Sequence, residues 1–259
     1  MSTNDLGLAL LDPGGTRRAE SNALNLPGLT GRRERVTVAE PAPGSWRARV
    51  THTLGPVATS QAFSGTLEVT RVEYAPMPDV DGLRPSLREE IYQNVRSLVM
   101  RPLGLRFRPE FSVSRMGLAA TLLLGARVPQ YLAGRRQYAD VRAAPTRLVI
   151  ESAQGAPGGP LFPDAAERNR FRPDDRADRF TSAVALVNAA GLRAEAEAKV
   201  GAPLALTDAR SIPAALRGYV AVALDRRLLA AEGGAFRPDA ALTRAELAHA
   251  MAGIAAVKS

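Results

Sequence analysis

Cysteine is absent from the 259 residues, which excludes disulfide frameworks, thiolate zinc sites and cysteine nucleophiles together. Histidine occurs only as His52 and His249, leaving metal clusters and Ser-His-Asp triads little to build on. Both histidines read as surface or packing residues. Long apolar runs are missing as well. The longest uncharged apolar stretch, Met116 to Ala126, lies between two arginines and is too short to span a bilayer. The opening MSTNDLGLALLDPGG has no basic region before its apolar hexamer and no small-residue cleavage site. The expectation is therefore that any export signal lies upstream. Lysine is nearly missing too. Lys199 and Lys258 are the only two, so the net charge of +8 is carried almost wholly by arginine. Such a surface attracts polyanions, although arginine-rich, lysine-poor usage also arises from genome composition alone.

What is present is ordinary globular material, 46% apolar and 23% charged, enough to bury a core over one or two domains. No catalytic constellation emerges from it. Glu89 and Glu90 are neighbours on one helix and point to different faces. Asp79-Val80-Asp81-Gly82 lacks the remaining ligands of a calcium loop and reads as a turn. GAPGG at 155–159 has no following Lys-Ser/Thr and reads as a flexible insertion. AEAEAK at 194–199 reads as a solvated helix tail. The expectation is a non-enzymatic chain without cofactor or metal.

Residues 1–75 are organised by twos. DLGLALL runs into the turn DPGG; RERVTVAE and SWRARVTHTL alternate; SGTLEVTRVEY closes the series. Apolar side chains at every second position predict half-buried antiparallel strands, about four of them, needing a second layer.

From residue 76 the period changes and the chain repeats itself. FRPEFSVSRMGLA from Phe107, FRPDDRADRFTSA from Phe171 and FRPDAALTRAELA from Phe236 align without gaps, 64 and 65 residues apart. In each, an arginine follows eight residues after the phenylalanine: Arg115, Arg179 and Arg244. A helical pattern follows every block, and an acidic residue precedes each by about thirty positions: Asp79, Asp140 and Asp208. Two of the three copies show a further helix, over Leu87 to Met100 and Ile212 to Leu229.

The chemistry of the block is readable. Phe-x-Pro makes an extended corner whose phenylalanine can plug a core. Ser114, Asp178 and Thr243 are good N-caps, and Thr243 with Glu246 has capping-box spacing. The arginine then falls in the first helical turn, where backbone N–H groups and the helix dipole favour an anion. A cation there is unfavourable for the helix itself, so three of them call for a reason. One is an anionic ligand held by the guanidinium; the other is a salt bridge to a carboxylate of a neighbouring repeat.

Two resemblances follow from these residues. The order NDLGLALLDPGG, RERVTVAEPAPGSWRARV, LEVTRV resembles the small β-sandwich that follows the catalytic domain of secreted subtilisin-like peptidases. Its leading strands and the catalytic domain have no counterpart here. The segment from Leu206 to Ile254 resembles an S-layer homology repeat, with F-x-P-x-x-x-x-T-R-A-E intact at Phe236, Pro238 and Thr243 to Glu246. The first and second copies resemble it with SRMG (Ser114 to Gly117) and DRFT (Asp178 to Thr181). Copy two carries the insertion GAPGGPLFPD. The resemblance implies an α+β multidomain chain: a partial antiparallel β-sandwich over 1–75, then repeats at 76–135, 136–200 and 201–259 forming a pseudo-threefold helix-loop-helix module. It implies extracellular, wall- or S-layer-associated anchoring through an anionic, often pyruvylated, wall polysaccharide. Arg244, Thr243, Glu246, Arg115, Ser114 and Arg179 are the implied ligand-binding residues. The alternative reading is the accessory tail of a secreted subtilisin-like protease; nucleic acid is disfavoured for want of a recognition helix or stacking aromatics.

Overall fold

The computed structural model describes residues 5–21, 34–38, 41–54, 62–69 and 74–258. The chain divides into two compact units, Met1–Glu73 and Tyr74–Ser259.

In the first unit, β1 (Asp5–Leu11), β2 (Arg17–Ser21) and β3 (Arg47–Leu54) form one antiparallel sheet in the order β2-β1-β3. Leu8 pairs with Ser21 and Val50, and Leu10 with Ala19 and Ala48, so the alternating leucines of β1 share a face with small and apolar partners. The β1–β2 turn closes on Asp12, whose carboxylate accepts from the Thr16 N–H at 2.8 Å and from Arg18 Nε at 2.8 Å. These bonds, the Thr16 amide first, hold its pKa below the usual carboxylate range.

Two strand expectations are corrected here. Residues 34–38 and 62–69 belong to no strand, and Phe63, Leu67 and Val69 are exposed, Leu67 by 82%. Period-two alternation is necessary for a half-buried strand but supplies no pairing partner. Residues 33, 39–40 and 70–73 of the same stretches lie outside the described residues. The polar β2, by contrast, is an edge strand with no alternation to announce it. The described residues form a single sheet, without the second layer that a sandwich requires.

The second unit is helical. Its elements are α1 (Pro85–Arg96), α2 (Arg115–Gly125), α3 (Ala144–Gln154), α4 (Pro163–Arg168), α5 (Arg179–Ala189), α6 (Arg193–Ala198), α7 (Arg217–Asp225) and α8 (Arg244–Lys258). Copy two does have its further helix, α3, which carries Pro145 in its first turn. The GAPGGPLFPD insertion ends in α4, which starts on Pro163. The AEAEAK segment lies mostly within α6, where Ala196 is buried and Glu195 pairs with Arg226 rather than standing free in solvent.

Packing runs in a closed cycle. The helix that follows each Phe-Arg-Pro block packs on the opening helix of the next copy: α2 on α3, α5 on α7, α8 on α1, while α2, α5 and α8 also touch one another. Backbone hydrogen bonds close the same ring. Val113 donates to Leu242 O (2.9 Å), Leu242 to Ala177 O (2.8 Å) and Ala177 to Val113 O (2.8 Å). Phe107, Phe171 and Phe236 are all fully buried, each contributing about 1.5–3 kcal/mol by burial.

Candidate functional site

Each phenylalanine is fixed by the acidic residue standing about thirty positions before it. Asp79 accepts from the N–H groups of Phe107 (3.1 Å) and Arg108 (2.6 Å). Asp140 accepts from Phe171 (3.1 Å) and Arg172 (2.7 Å), and Asp208 from Phe236 (2.9 Å) and Arg237 (2.6 Å). Burial pushes the pKa of all three carboxyls up, but the backbone donors outweigh it and hold them below the usual range. The bonds stabilise a left-handed residue at the centre of Phe-Arg-Pro: φ is +58° at Arg108, +57° at Arg172 and +56° at Arg237.

The block arginines reach across the cycle onto this frame. Arg115 Nε donates to Phe171 O (2.7 Å), Arg179 Nε to Phe236 O (2.8 Å) and Arg244 Nε to Phe107 O (2.8 Å). The three guanidinium carbons lie 5.0, 5.1 and 4.5 Å from the same phenylalanine rings, a cation–π geometry. Arg179 Nη2 donates to Ala230 O (2.5 Å) and Arg244 Nη2 to Arg101 O (2.6 Å).

Here the equivalence ends. Arg115, 2% exposed, pairs with Asp164 of α4 at 3.1 Å, and the same carboxylate receives Arg172 Nη2 at 3.1 Å. Arg179, 1% exposed, pairs through Nη1 with Glu246 of α8, while Arg237 pairs with Glu232. Arg244 is only partly buried, and among the described residues no carboxylate lies within ion-pair distance of it. Burial lowers its pKa, opposed by the field of Asp79. Its guanidinium stays charged regardless.

The sequence-derived site residues therefore separate. The salt-bridge reading holds at two corners, where Arg115 and Arg179 are partners of internal carboxylates, while Arg244 has no such partner among the described residues. Ser114 accepts from Gly117 N–H (3.0 Å) and acts as a cap. Thr243 and Glu246 form the expected capping box, Thr243 N–H to Glu246 Oε2 at 2.8 Å and Glu246 N–H to Thr243 Oγ1 at 3.2 Å. Glu246 nevertheless turns its other oxygen to Arg179, not toward the Arg244 corner. The helix starts are not anion sites. The first N–H groups of α2 donate to Asp175 O and Pro173 O, those of α5 to Ala240 O and Pro238 O, and those of α8 to Phe111 O and Pro109 O. Sequence reasoning missed Asp164, hidden in an apparent insertion, and Arg108. Among the described residues no group of three His, Cys, Asp or Glu is placed to hold a metal, and no helix is long and apolar enough to cross a membrane.

This frame of capped helix, buried phenylalanine and crossing arginine occurs in all three copies. In the third, the S-layer homology domain family matches residues 205–248, a span that takes in Asp208, Phe236, Thr243, Arg244 and Glu246. Residues 205–248 are thus similar to the S-layer homology domain, a cell-wall anchoring module associated with the cell surface or wall. No curated protein matches the chain.

Proposed function

We propose that this chain is a non-catalytic anchoring module whose three copies are all S-layer homology repeats. Together they hold an exported protein to the bacterial envelope by binding an anionic wall polysaccharide at the Arg244 corner. The observation that carries this reading is the contrast among the arginines: two are neutralised internally and the third has no carboxylate partner among the described residues. A sugar carboxylate is a suitable counter-ion, because a guanidinium already fixed by Phe107 O, Arg101 O and an aromatic ring needs little ordering to receive it. Support for the first two copies as repeats of the same kind comes from their matching acidic anchors, buried phenylalanines and crossing arginines.

The test is retention on wall sacculi before and after hydrofluoric acid strips the secondary polymer. Binding to intact walls that is lost on stripping and on Arg244→Ala is expected. Equal retention on stripped walls overturns the proposal.

A further inference from the structure

Copies one and three correspond at a constant spacing of 129 residues: Phe107 with Phe236, Arg108 with Arg237, Arg115 with Arg244. The short bridges Leu103–Arg106 and Glu232–Ala235 obey it as well. Under this correspondence, the two carboxylates of the closed Arg179 corner, Glu246 and Glu232, become Gly117 and Leu103 at the Arg244 corner. Glu246 supplies the ion pair to Arg179 from the third residue of the neighbouring helix; Gly117 is that residue of α2 and has no side chain to offer. Glu232 neutralises Arg237, whereas Leu103 leaves Arg108 with no carboxylate partner among the described residues. The Arg108 guanidinium instead lies 4.7 Å from the Phe111 ring, its buried Nε without a hydrogen-bond partner among the described residues. At the Arg115 corner the corresponding helix residue is Thr181, and Asp164 takes over, neutralising Arg115 and Arg172 together.

We infer that the module is monovalent and that Gly117 and Leu103 make it so: their lack of carboxylates opens one doubly cationic site, formed by Arg244 and Arg108, while the other two corners are occupied from within. This rests on the proposed function and deepens it. Arg108 becomes a second ligand-contacting cation, so the favoured polysaccharide carries anionic groups on a repeat that spans both guanidinium groups. Gly117 acts through Arg244 and is a positioning residue.

The experiment is calorimetric titration of the full chain with the secondary polymer fragment released from sacculi by hydrofluoric acid, alongside the same fragment with its carboxyl groups reduced. One site per chain is expected, with the reduced fragment binding at least tenfold more weakly. Gly117→Glu should weaken binding about tenfold to a hundredfold, the range for losing a charge-assisted contact. Gly117→Gln, which adds the same bulk to a position whose new Cβ lies 3.3 Å from Ser114 Oγ and Val113 Cγ1, should weaken it at least tenfold less than Glu. Leu103→Glu should reduce affinity and flatten its dependence on salt. Two or three sites per chain, equal losses for the Glu and Gln variants, or Arg108→Ala binding like the parent would each overturn the inference while leaving the anchoring proposal intact. No binding by the parent overturns both.

Discussion

The Arg179 and Arg244 corners share a backbone and differ in charge. Both set an arginine over a buried phenylalanine ring, bind its Nε to the phenylalanine carbonyl, and bind its Nη2 to a second carbonyl six residues earlier. Among the described residues, Arg179 also meets a carboxylate and Arg244 does not. The frame is therefore indifferent to whether the guanidinium is neutralised, and a repeat can keep its structural arginine while gaining or losing an ion pair through one neighbouring residue. Whether the same residue type is neutralised is decided by what faces it, not by where it stands.

The comparison breaks most severely if the shared frame is not equally strong at both corners. Phe107→Ala and Phe236→Ala each remove a fully buried ring, and each should cost about 3–5 kcal/mol. Chemical denaturation of the two variants should give losses within about 1 kcal/mol of one another. A clear inequality means that the corners are not energetically equivalent.

The acidic anchors come next. Asp79→Asn and Asp208→Asn each take an acceptor from a pair of backbone donors, and each should lower stability by about 1–3 kcal/mol at pH 7. The pH dependence has a definite sign. Because the folded-state pKa of Asp79, Asp140 and Asp208 is depressed, their contribution is fully present above the unfolded value of about 3.9. It is lost as pH falls through the lower folded values. The parent should thus destabilise below about pH 4, and the deficit of either variant should shrink over the same interval. A deficit that stays constant into acid shows that the carboxylate charge is not what holds Phe-Arg-Pro.

Arg179→Ala and Arg244→Ala sharpen the contrast directly. Both lose two bonds to carbonyls and a cation–π contact. Arg179→Ala in addition strands Glu246, so it should be the less stable variant by about 1–2 kcal/mol in thermal or denaturant unfolding. Arg244→Ala should show the larger loss of wall binding. If both variants lose binding equally and stability equally, the corners are not specialised.

How much of this was legible in the sequence depends on whether a contact is local or merely repeated. The capping box at Thr243 and Glu246 was readable because both partners lie within one turn. The burial of three phenylalanines was signalled by three coinciding copies; the recurring aspartates were visible too, but not that each accepts from the phenylalanine N–H of its own copy. The ion pair between Arg179 and Glu246 was not, since spacing says nothing of which neighbour a side chain faces. It becomes readable only once the cyclic order of the copies is known. α3 was hidden because its start, Ala143 to Thr146, carries no side-chain cap and a proline that resembles a break. In the first unit the error ran the other way: Leu67 and Val69 alternate like a strand, yet they are exposed and unpaired.

The smallest effect tests whether the two roles of Glu246 are linked. One of its oxygens receives the Thr243 N–H at 2.8 Å and the Thr243 hydroxyl at 3.0 Å, while the other pairs with Arg179. Thr243→Ala should cost about 1 kcal/mol, as N-cap losses do. The cap also holds the Glu246 carboxylate in the orientation that serves Arg179, so part of the ion pair should vanish with the threonine. A double-mutant cycle between Thr243→Ala and Arg179→Ala should then show a coupling of about 0.5–1 kcal/mol, although the two side chains make no direct bond. Thr243→Ser, which keeps the hydroxyl, should restore most of it. At the Arg244 corner the corresponding pair is Ser114 and Arg244, with Gly117 in place of the glutamate. There the cap ends at the Gly117 N–H and has no carboxylate through which to act. Ser114→Ala with Arg244→Ala should therefore be additive within about 0.3–0.5 kcal/mol. Additivity at both corners would show that Glu246 serves cap and arginine independently; coupling at the Arg179 corner alone would establish that the carboxylate joins the helix start of one repeat to the arginine of the preceding one.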